Sequence, residues 1–327
     1  MPTVLEVRDL HVDYRDARAK IKPALEGVSF TLRAGEILGV LGESGSGKST
    51  LSSTVLRLLA PGGKIRSGSV RYDGHEILSQ SERELEKIRG ARIAIVFQEA
   101  SLALHPTLRV GEQVARVIGA HRSLDRRARL NKAREVLAEV FRDDVGRIFS
   151  SYPHQLSGGQ RQRVLIAQAI ACNPAILIAD EPTASLDTTT QSEILSLFAE
   201  LQRRHGMALM LITHNPAILA RLADRILVLY AGRVVEEGPA EVLLRSPQHP
   251  YLRDLLRSMT DSPEAALLHH KINLPTITGV ALDLSVNSPG CVFAPRCEDR
   301  MDECAQREPI TVAVEENHAV ACFKYGG

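Results

Sequence analysis

A chain of 327 residues is long enough for one large domain with an appendage, and its 40 Lys and Arg against 39 Asp and Glu leave a formal net charge of +1. That balance excludes a long-range field drawing the chain to nucleic acid or anionic lipid. No basic-then-apolar signal opens the chain and no apolar run approaches the roughly 20 residues that span a bilayer, so the expectation is a soluble, cytosolic protein whose membrane role comes through a partner.

In chain order, Val4 to Arg33 reads as short alternating strands around a loop, closed by a turn at Ala34-Gly35. Ile37 to Leu41 is an apolar run ending at a Gly-rich loop, and Lys48 to Ala60 has helical spacing that stops before Pro61-Gly62-Gly63. Arg92 to Phe97 is a further buried strand. From Gly111 to Phe141 the pattern turns helical and charged, a separate helical lobe, with the arginines between Arg122 and Arg134 on a solvated face. Ile176 to Ala179 and Ala208 to Thr213 are continuous apolar runs of strand length, as in parallel strands covered on both faces. Ile226 to Tyr230 and Val234-Val235 read as a hairpin at the edge of the same sheet. Strands alternating with helices predict an α/β architecture. After about Met259 the pattern weakens into a linker, followed by a tail holding four of the five cysteines, Cys291, Cys297, Cys304 and Cys322. Five are too few for a disulfide scaffold of this length and imply a reducing compartment. Cys172, in an apolar helix before Asn173-Pro174, reads as packing.

The chemistry-bearing residues begin with Gly42-Glu43-Ser44-Gly45-Ser46-Gly47-Lys48-Ser49-Thr50, between a strand and a helix. Glycines let the backbone wrap around a polyphosphate with N–H groups inward, and the following helix adds its positive dipole end. Lys48 supplies a cation to the β- and γ-phosphates, and the Ser49 hydroxyl is placed to ligate Mg²⁺. Asp180 ends an apolar strand and is suited to hold the magnesium through a water. Its neighbour Glu181 is suited to polarise the attacking water. Gln98 offers an amide oxygen to metal or water, and His214 a donor to the γ-phosphate. Each of these last two, taken alone, reads as a structural residue.

Leu156-Ser157-Gly158-Gly159-Gln160 opens a second anion-binding helix start, over Gln160 to Cys172. One polypeptide has no obvious use for two such cradles unless they face different nucleotides. The economical solution is a head-to-tail pair in which each copy's Ser157 loop covers the other's Lys48 site.

These motifs resemble the nucleotide-binding domain of the ATP-binding cassette (ABC) superfamily over residues 1 to about 258. The resemblance implies a P-loop NTPase fold with a parallel-sheet core, an N-terminal antiparallel β subdomain and a helical signature subdomain, with residues 259–327 as a small cysteine-bearing extension. It assigns the phosphate loop to Gly42–Ser49, the glutamine loop to Gln98, the signature to Leu156–Gln160, the magnesium aspartate to Asp180 and the catalytic glutamate to Glu181. The dimer-contact loop falls at Ser185–Asp187 and the switch histidine at His214. The adenine-stacking aromatic corresponds to Tyr14, which as a strand residue reads equally well as core packing.

Tyr152 to Arg163, Ala179 to Asp187, His249-Pro250-Tyr251 and the tail pattern Gly290-Cys291, Pro295-Arg296-Cys297, Cys304 and Cys322 are similar to ATPases of the oligopeptide/dipeptide/nickel permease group. A departure occurs at Ala103-Leu104-His105-Pro106, where the group usually has Ser-Leu-Asn-Pro. The resemblance implies an ATP hydrolase powering an ABC importer for peptides or related small solutes, nickel among them. Its partners would be a second ATPase subunit (a copy or a paralogue), two transmembrane permease subunits and, indirectly, an extracytoplasmic solute-binding protein, with no nucleic acid. The place implied is the cytoplasmic face of the membrane. Successive tail cysteines are separated by five, six and seventeen residues, which is no zinc-ribbon spacing. Some relatives carry a [4Fe–4S] cluster here, so cluster, zinc and metal-free thiols all stand open. The rival functions are a soluble ABC ATPase acting on nucleic acid or ribosomes, and a metal- or redox-regulated ATPase.

Overall fold

Two kinds of strand pattern build this chain: long half-buried strands at the N-terminus and short, wholly apolar ones further on. The computed structural model describes residues 1–15, 20–97, 103–260 and 289–326. The strands are β1 (Thr3–Arg15), β2 (Ile21–Arg33), β3 (Ile37–Leu41), β4 (Gly63–Tyr72), β5 (His75–Glu76), β6 (Ile93–Val96), β7 (Ile176–Asp180), β8 (Ala208–Thr213), β9 (Arg225–Tyr230), β10 (Arg233–Pro239), β11 (Val312–Glu315) and β12 (His318–Val320). The helices are α1 (Lys48–Val55), α2 (Glu82–Ile88), α3 (Val110–His121), α4 (Arg126–Val140), α5 (Val145–Ser150), α6 (Gly158–Ile170), α7 (Thr188–His205), α8 (Pro216–Leu222), α9 (Ala240–Arg245) and α10 (Pro250–Thr260). Contacts divide the chain into one unit of Met1–Glu6, Thr31–Ile37 and Val70–Ile212, and a second of Val7–Phe30, Leu38–Ser69 and Thr213–Gly327.

In the first unit, β6, β7 and β8 run parallel, with Ile93 opposite Ile176 and Ile176 opposite Ala208. Every residue of β7 and β8 is buried, which matches their unbroken apolar sequence and requires cover on both faces. Each large side chain so buried contributes roughly 1.5–3 kcal/mol, so this sheet anchors the unit. The carboxyl end of β7 carries Asp180. The helical lobe expected over Gly111 to Phe141 forms α3 and α4, and α4 keeps Ala133, Val136, Leu137 and Val140 buried while Arg126 and Arg127 stay exposed.

In the second unit, β3 and β9 run parallel, and β9 and β10 form the expected hairpin with a bulge between Val234 and Glu236. The hairpin is not the sheet edge. β12 from the tail pairs antiparallel with β10 (Glu236 opposite Val320), and β11 pairs with β12. An exposed edge strand offers unpaired N–H and C=O groups, and the tail satisfies them. The N-terminal strands are ordered β2-β1-β4 beside one another, longer than the short strands expected. Helix α1 ends at Val55 rather than near Ala60, because the chain leaves helical geometry at Leu56 and Arg57 takes φ 51. Among the described residues no helix is long and apolar enough to cross a membrane.

The described tail residues dock within the second unit through charge as well as strand pairing. Asp299 accepts from Arg253 (2.7 Å) and Lys324 (2.9 Å), and Glu308 pairs with Arg233 at 2.6 Å. Beneath them, Glu236 is buried. It accepts the backbone N–H of Gln248 (2.9 Å) and of His249 (2.8 Å), and its Oε1 lies 2.8 Å from His318 Nε2.

His249 is buried against Phe293, and its Nδ1 accepts the Tyr251 N–H at 3.1 Å. Burial, reinforced by the positive charge of Arg253, lowers its pKa from 6.5 to about 3. The unfolded chain therefore binds a proton that the folded chain refuses. Stability from this group is fully present above pH 6.5 and is lost as pH falls through the window to about 3, a loss of roughly 4–5 kcal/mol. Glu236, whose pKa is raised by burial, acts with the opposite sign, losing stability as pH rises from the ordinary carboxylate range to its raised value. The expected result isolates His249: His249→Asn, which keeps an acceptor for the Tyr251 N–H but cannot take a proton near neutrality, flattens the fall in melting temperature between pH 6.5 and 4. An unchanged slope would remove His249 from this account.

Candidate functional site

The loop expected to hold phosphate leaves β3 at Leu41 and enters α1 at Lys48, all within the second unit. Gly47 caps α1 at φ 103, where an added Cβ would lie 2.7 Å from the Ala24 carbonyl, so only glycine fits. Gly45, at φ 82, faces open space with nothing within 4 Å of a Cβ position. Ser46 Oγ is buried without a hydrogen-bond partner, while the Ser46 carbonyl accepts the Gly232 N–H at 2.8 Å from the β9–β10 turn. Open space at Gly45, an unpaired buried hydroxyl and a helix N-terminus fit a polyanion. Lys48 is 7% exposed, and its Nζ donates to the carbonyls of Gly42 and Glu43, both at 2.8 Å. Ser44 and Ser49 are exposed and Thr50 is half-buried.

Glu43 is held on three sides. Its N–H donates to Tyr251 Oη (2.8 Å), its carbonyl accepts Lys48, and its carboxylate meets Arg296 of the tail at 2.9 and 3.1 Å. Tyr251 and Arg296 fall in the His-Pro-Tyr and Pro-Arg-Cys runs. Those runs marked a family in the sequence but gave no sign that they reach the loop. Tyr14 lies half-buried in β1 with Cε1 2.9 Å from where a Cβ on Gly63 would stand. His214 is exposed, between β8 and α8.

In the first unit, Asp180 is 5% exposed at the end of β7, and Glu181 follows with φ 46 in the left-handed region. Its N–H is tied to the Ile212 carbonyl at 3.0 Å, so neighbouring β8 holds this strained residue in place. Ser157 caps α6: its Oγ accepts the Gln160 N–H (3.3 Å) while Gln160 Oε1 accepts the Ser157 N–H (3.1 Å). The helix thus begins at Gly158, two residues earlier than the expected Gln160, because the serine is the cap. Gly158 and Gly159 lie against Leu186 and Thr190, so the signature turn packs on the loop that carries Asp187. Asp187 caps α7 by accepting the Thr190 N–H at 3.0 Å, and hydrogen bonds from Thr190 lower its pKa. Gln98 lies outside the described residues.

In the tail, the Cys291 N–H donates to the Cys304 carbonyl at 2.9 Å, and Cys304, Ala294 and Phe323 form a small core with Cys291 packed against it. Burial raises the thiol pKa of Cys291 and Cys322, and that of Cys297 to about 11. Among the described residues no three His, Cys, Asp or Glu side chains gather as metal donors.

Residues 25–184 match the family model described as ABC transporter. Residues 235–304 match that of the oligopeptide/dipeptide transporter C-terminal region. A probable peptide ABC transporter ATP-binding protein of Sinorhizobium fredii is 40% identical over 98% of this chain and 95% of its own. The dipeptide transport ATP-binding protein DppD of Bacillus subtilis is 40% identical over 99% and 95%. Among solved structures, the dimeric ATP-binding cassette MJ0796 in a post-hydrolysis state with ADP and Pi is 32% identical, covering 72% of this chain and 98% of its own at a TM-score of 0.64. The cbiO1 cassette of Clostridium perfringens covers 83% and 100% at 27% identity and a TM-score of 0.65. The chain belongs to the ABC transporter family of ATP-hydrolysing subunits, in the group that carries the oligopeptide/dipeptide transporter C-terminal region.

Proposed function

We propose that this chain powers an importer for dipeptides, oligopeptides or related small solutes. The observation carrying this reading is similarity at about 40% identity to peptide- and dipeptide-transport ATP-binding proteins along nearly the whole chain, tail included. The cassette proper is taken as residues 1–258 and the extension as 259–327. The chain works at the cytoplasmic face, carried there by two permease subunits, with a solute-binding protein delivering cargo from outside.

Lys48 and the N–H groups of the loop from Gly42 to Thr50 bind the β- and γ-phosphates, and Tyr14 flanks the adenine. Ser49, Asp180 and Gln98 would hold a magnesium ion, which when bound supplies charge neutralisation at the phosphates. Glu181 takes a proton from, or orients, the attacking water, and His214 donates to the γ-phosphate. Ser157, Gly158, Gly159 and Gln160 of one subunit complete the phosphate site of a second ATPase subunit, with Asp187 at the contact. Among the described residues the Ser157 hydroxyl is engaged with its own helix start, and an anionic partner at that N-terminus is favoured by the helix dipole.

For the tail, a [4Fe–4S] or zinc site on Cys291, Cys297, Cys304 and Cys322 is the finer reading. The donors as placed do not fit it. They are not gathered as metal ligands, and Phe323 occupies the core beside Cys304. The arrangement supports a docking lobe of reduced thiols, and no step is routed through a metal.

Cells carrying Lys48→Ala in place of the natural chain should take up labelled di- and oligopeptides at background rates, while retaining the protein. Uptake at the normal rate would overturn the reading, as would ATPase activity stimulated by DNA or ribosomes rather than by permease and peptide.

A further inference from the structure

Glu43 places a carboxylate inside a loop built to hold anions, an electrostatic conflict that the fold has to resolve. It is resolved from the tail. Arg296 ends the short turn Ala294–Arg296, and its fork meets the carboxylate at two points, Nη1 to Oε2 at 2.9 Å and Nη2 to Oε1 at 3.1 Å. This two-point geometry is the strong, direction-fixing form of the ion pair. The Arg296 side chain is 7% exposed and that of Glu43 31%, so the guanidinium is largely shielded while the carboxylate still borders solvent.

The arginine is itself held rigidly. Nη1 donates to Tyr230 Oη at 3.2 Å, and the guanidinium lies 5.7 and 6.0 Å from the ring centres of Tyr230 and Phe293. Those rings pack with Tyr251, whose hydroxyl accepts the Glu43 N–H. The tail and α10 thus meet on one loop residue, whose carbonyl accepts Lys48, while Tyr230 of β9 braces the arginine.

We infer that Arg296 is a positioning residue for nucleotide binding: by neutralising and anchoring Glu43 it keeps the loop receptive to triphosphate, so the tail bears on the affinity for ATP through this one arginine. This rests on the reading of residues 42–49 as the ATP loop. Without Arg296, the Glu43 carboxylate stays uncompensated on the loop read as holding the phosphates, and its repulsion of a nucleotide grows with the number of phosphate charges.

The test measures binding of ATP and of ADP, with Mg²⁺, to the full chain by titration calorimetry, alongside melting temperature. Arg296→Ala should weaken ATP binding on the order of tenfold and ADP binding less. In a Glu43→Gln background the same change should alter ATP binding by less than about twofold, since the charge to be neutralised is gone. Arg296→Lys should recover part of the loss. Lys324→Gln, which breaks the 2.9 Å tail pair with Asp299 and leaves Arg296 in place, should bind ATP as the natural chain does. Should Arg296→Ala not fold, Arg296→Gln carries the same comparison. Equal losses for ATP and ADP, or a full loss persisting with Glu43→Gln, would overturn the inference in favour of a merely structural arginine. A natural chain that binds no ATP would instead overturn the reading of the loop itself, which separates the two failures.

Discussion

Glu181→Gln should lower ATP hydrolysis by at least about 100-fold while leaving ATP binding in place, and should accumulate a nucleotide-bound dimer. The amide has the shape of the carboxylate but cannot accept the proton of the attacking water. Its backbone cost is also the same. Glu181 sits at φ 46, held there by its N–H bond to Ile212, and glutamine inherits that strain unchanged. The melting temperature should therefore stay close to that of the natural chain, which distinguishes loss of chemistry from loss of fold. Single-turnover hydrolysis and light scattering with ATP present are the measurements. Near-normal turnover would remove Glu181 from its role, and a strictly monomeric ATP-bound form with any candidate second subunit would remove Ser157 from its role.

Glu236→Ala should destabilise the second unit by about 3–5 kcal/mol, because it strips several buried polar groups of their acceptor. Four groups depend on this carboxylate being where it is. The backbone N–H groups of Gln248 and His249 lose their acceptor, and His318, buried with its Nδ1 unpartnered, loses Nε2 contact as well. The fourth is the β10–β12 pairing, in which Glu236 faces Val320. Burying polar groups without partners is costly even when no charge is involved. Thermal unfolding and protease sensitivity of the tail should shift together. Loss of less than about 1 kcal/mol, with the tail still protected, would show that strand pairing and the Asp299 and Glu308 ion pairs hold the tail without help from this pair.

The two variants probe different kinds of information. The place of Glu181 just past the end of a strand was legible from the sequence because the pattern is local: an apolar strand, a terminal Asp-Glu pair and a following Pro-Thr-Ala-Ser-Leu-Asp loop all lie within a dozen residues. The same holds for the Gly42–Ser49 loop and for the serine cap of α6, where spacing alone states which N–H groups are collected. Buried parallel strands were equally readable, since β7 and β8 have no polar face to disguise them. Helix ends were less so. α1 stops five residues short of the apolar pattern because Arg57 adopts a left-handed conformation that no periodicity announces.

Glu236, His318, Asp299 and Arg296 were not legible as a set. A buried carboxylate in a strand looks, in sequence, like an exposed one, and its partner His318 is 82 positions away. The Pro-Arg-Cys run identified a family without disclosing that its arginine reaches 253 positions back to Glu43.

By itself, then, the sequence determined the nucleotide chemistry, the α/β architecture and the membership of the tail in a transporter group, because each is written in residues close together along the chain. Only the tertiary structure decided that the tail extends the β10 edge as an extra strand and delivers a guanidinium to the phosphate loop. Long-range charge pairing depends on which surfaces the fold brings together, and no local pattern carries that information.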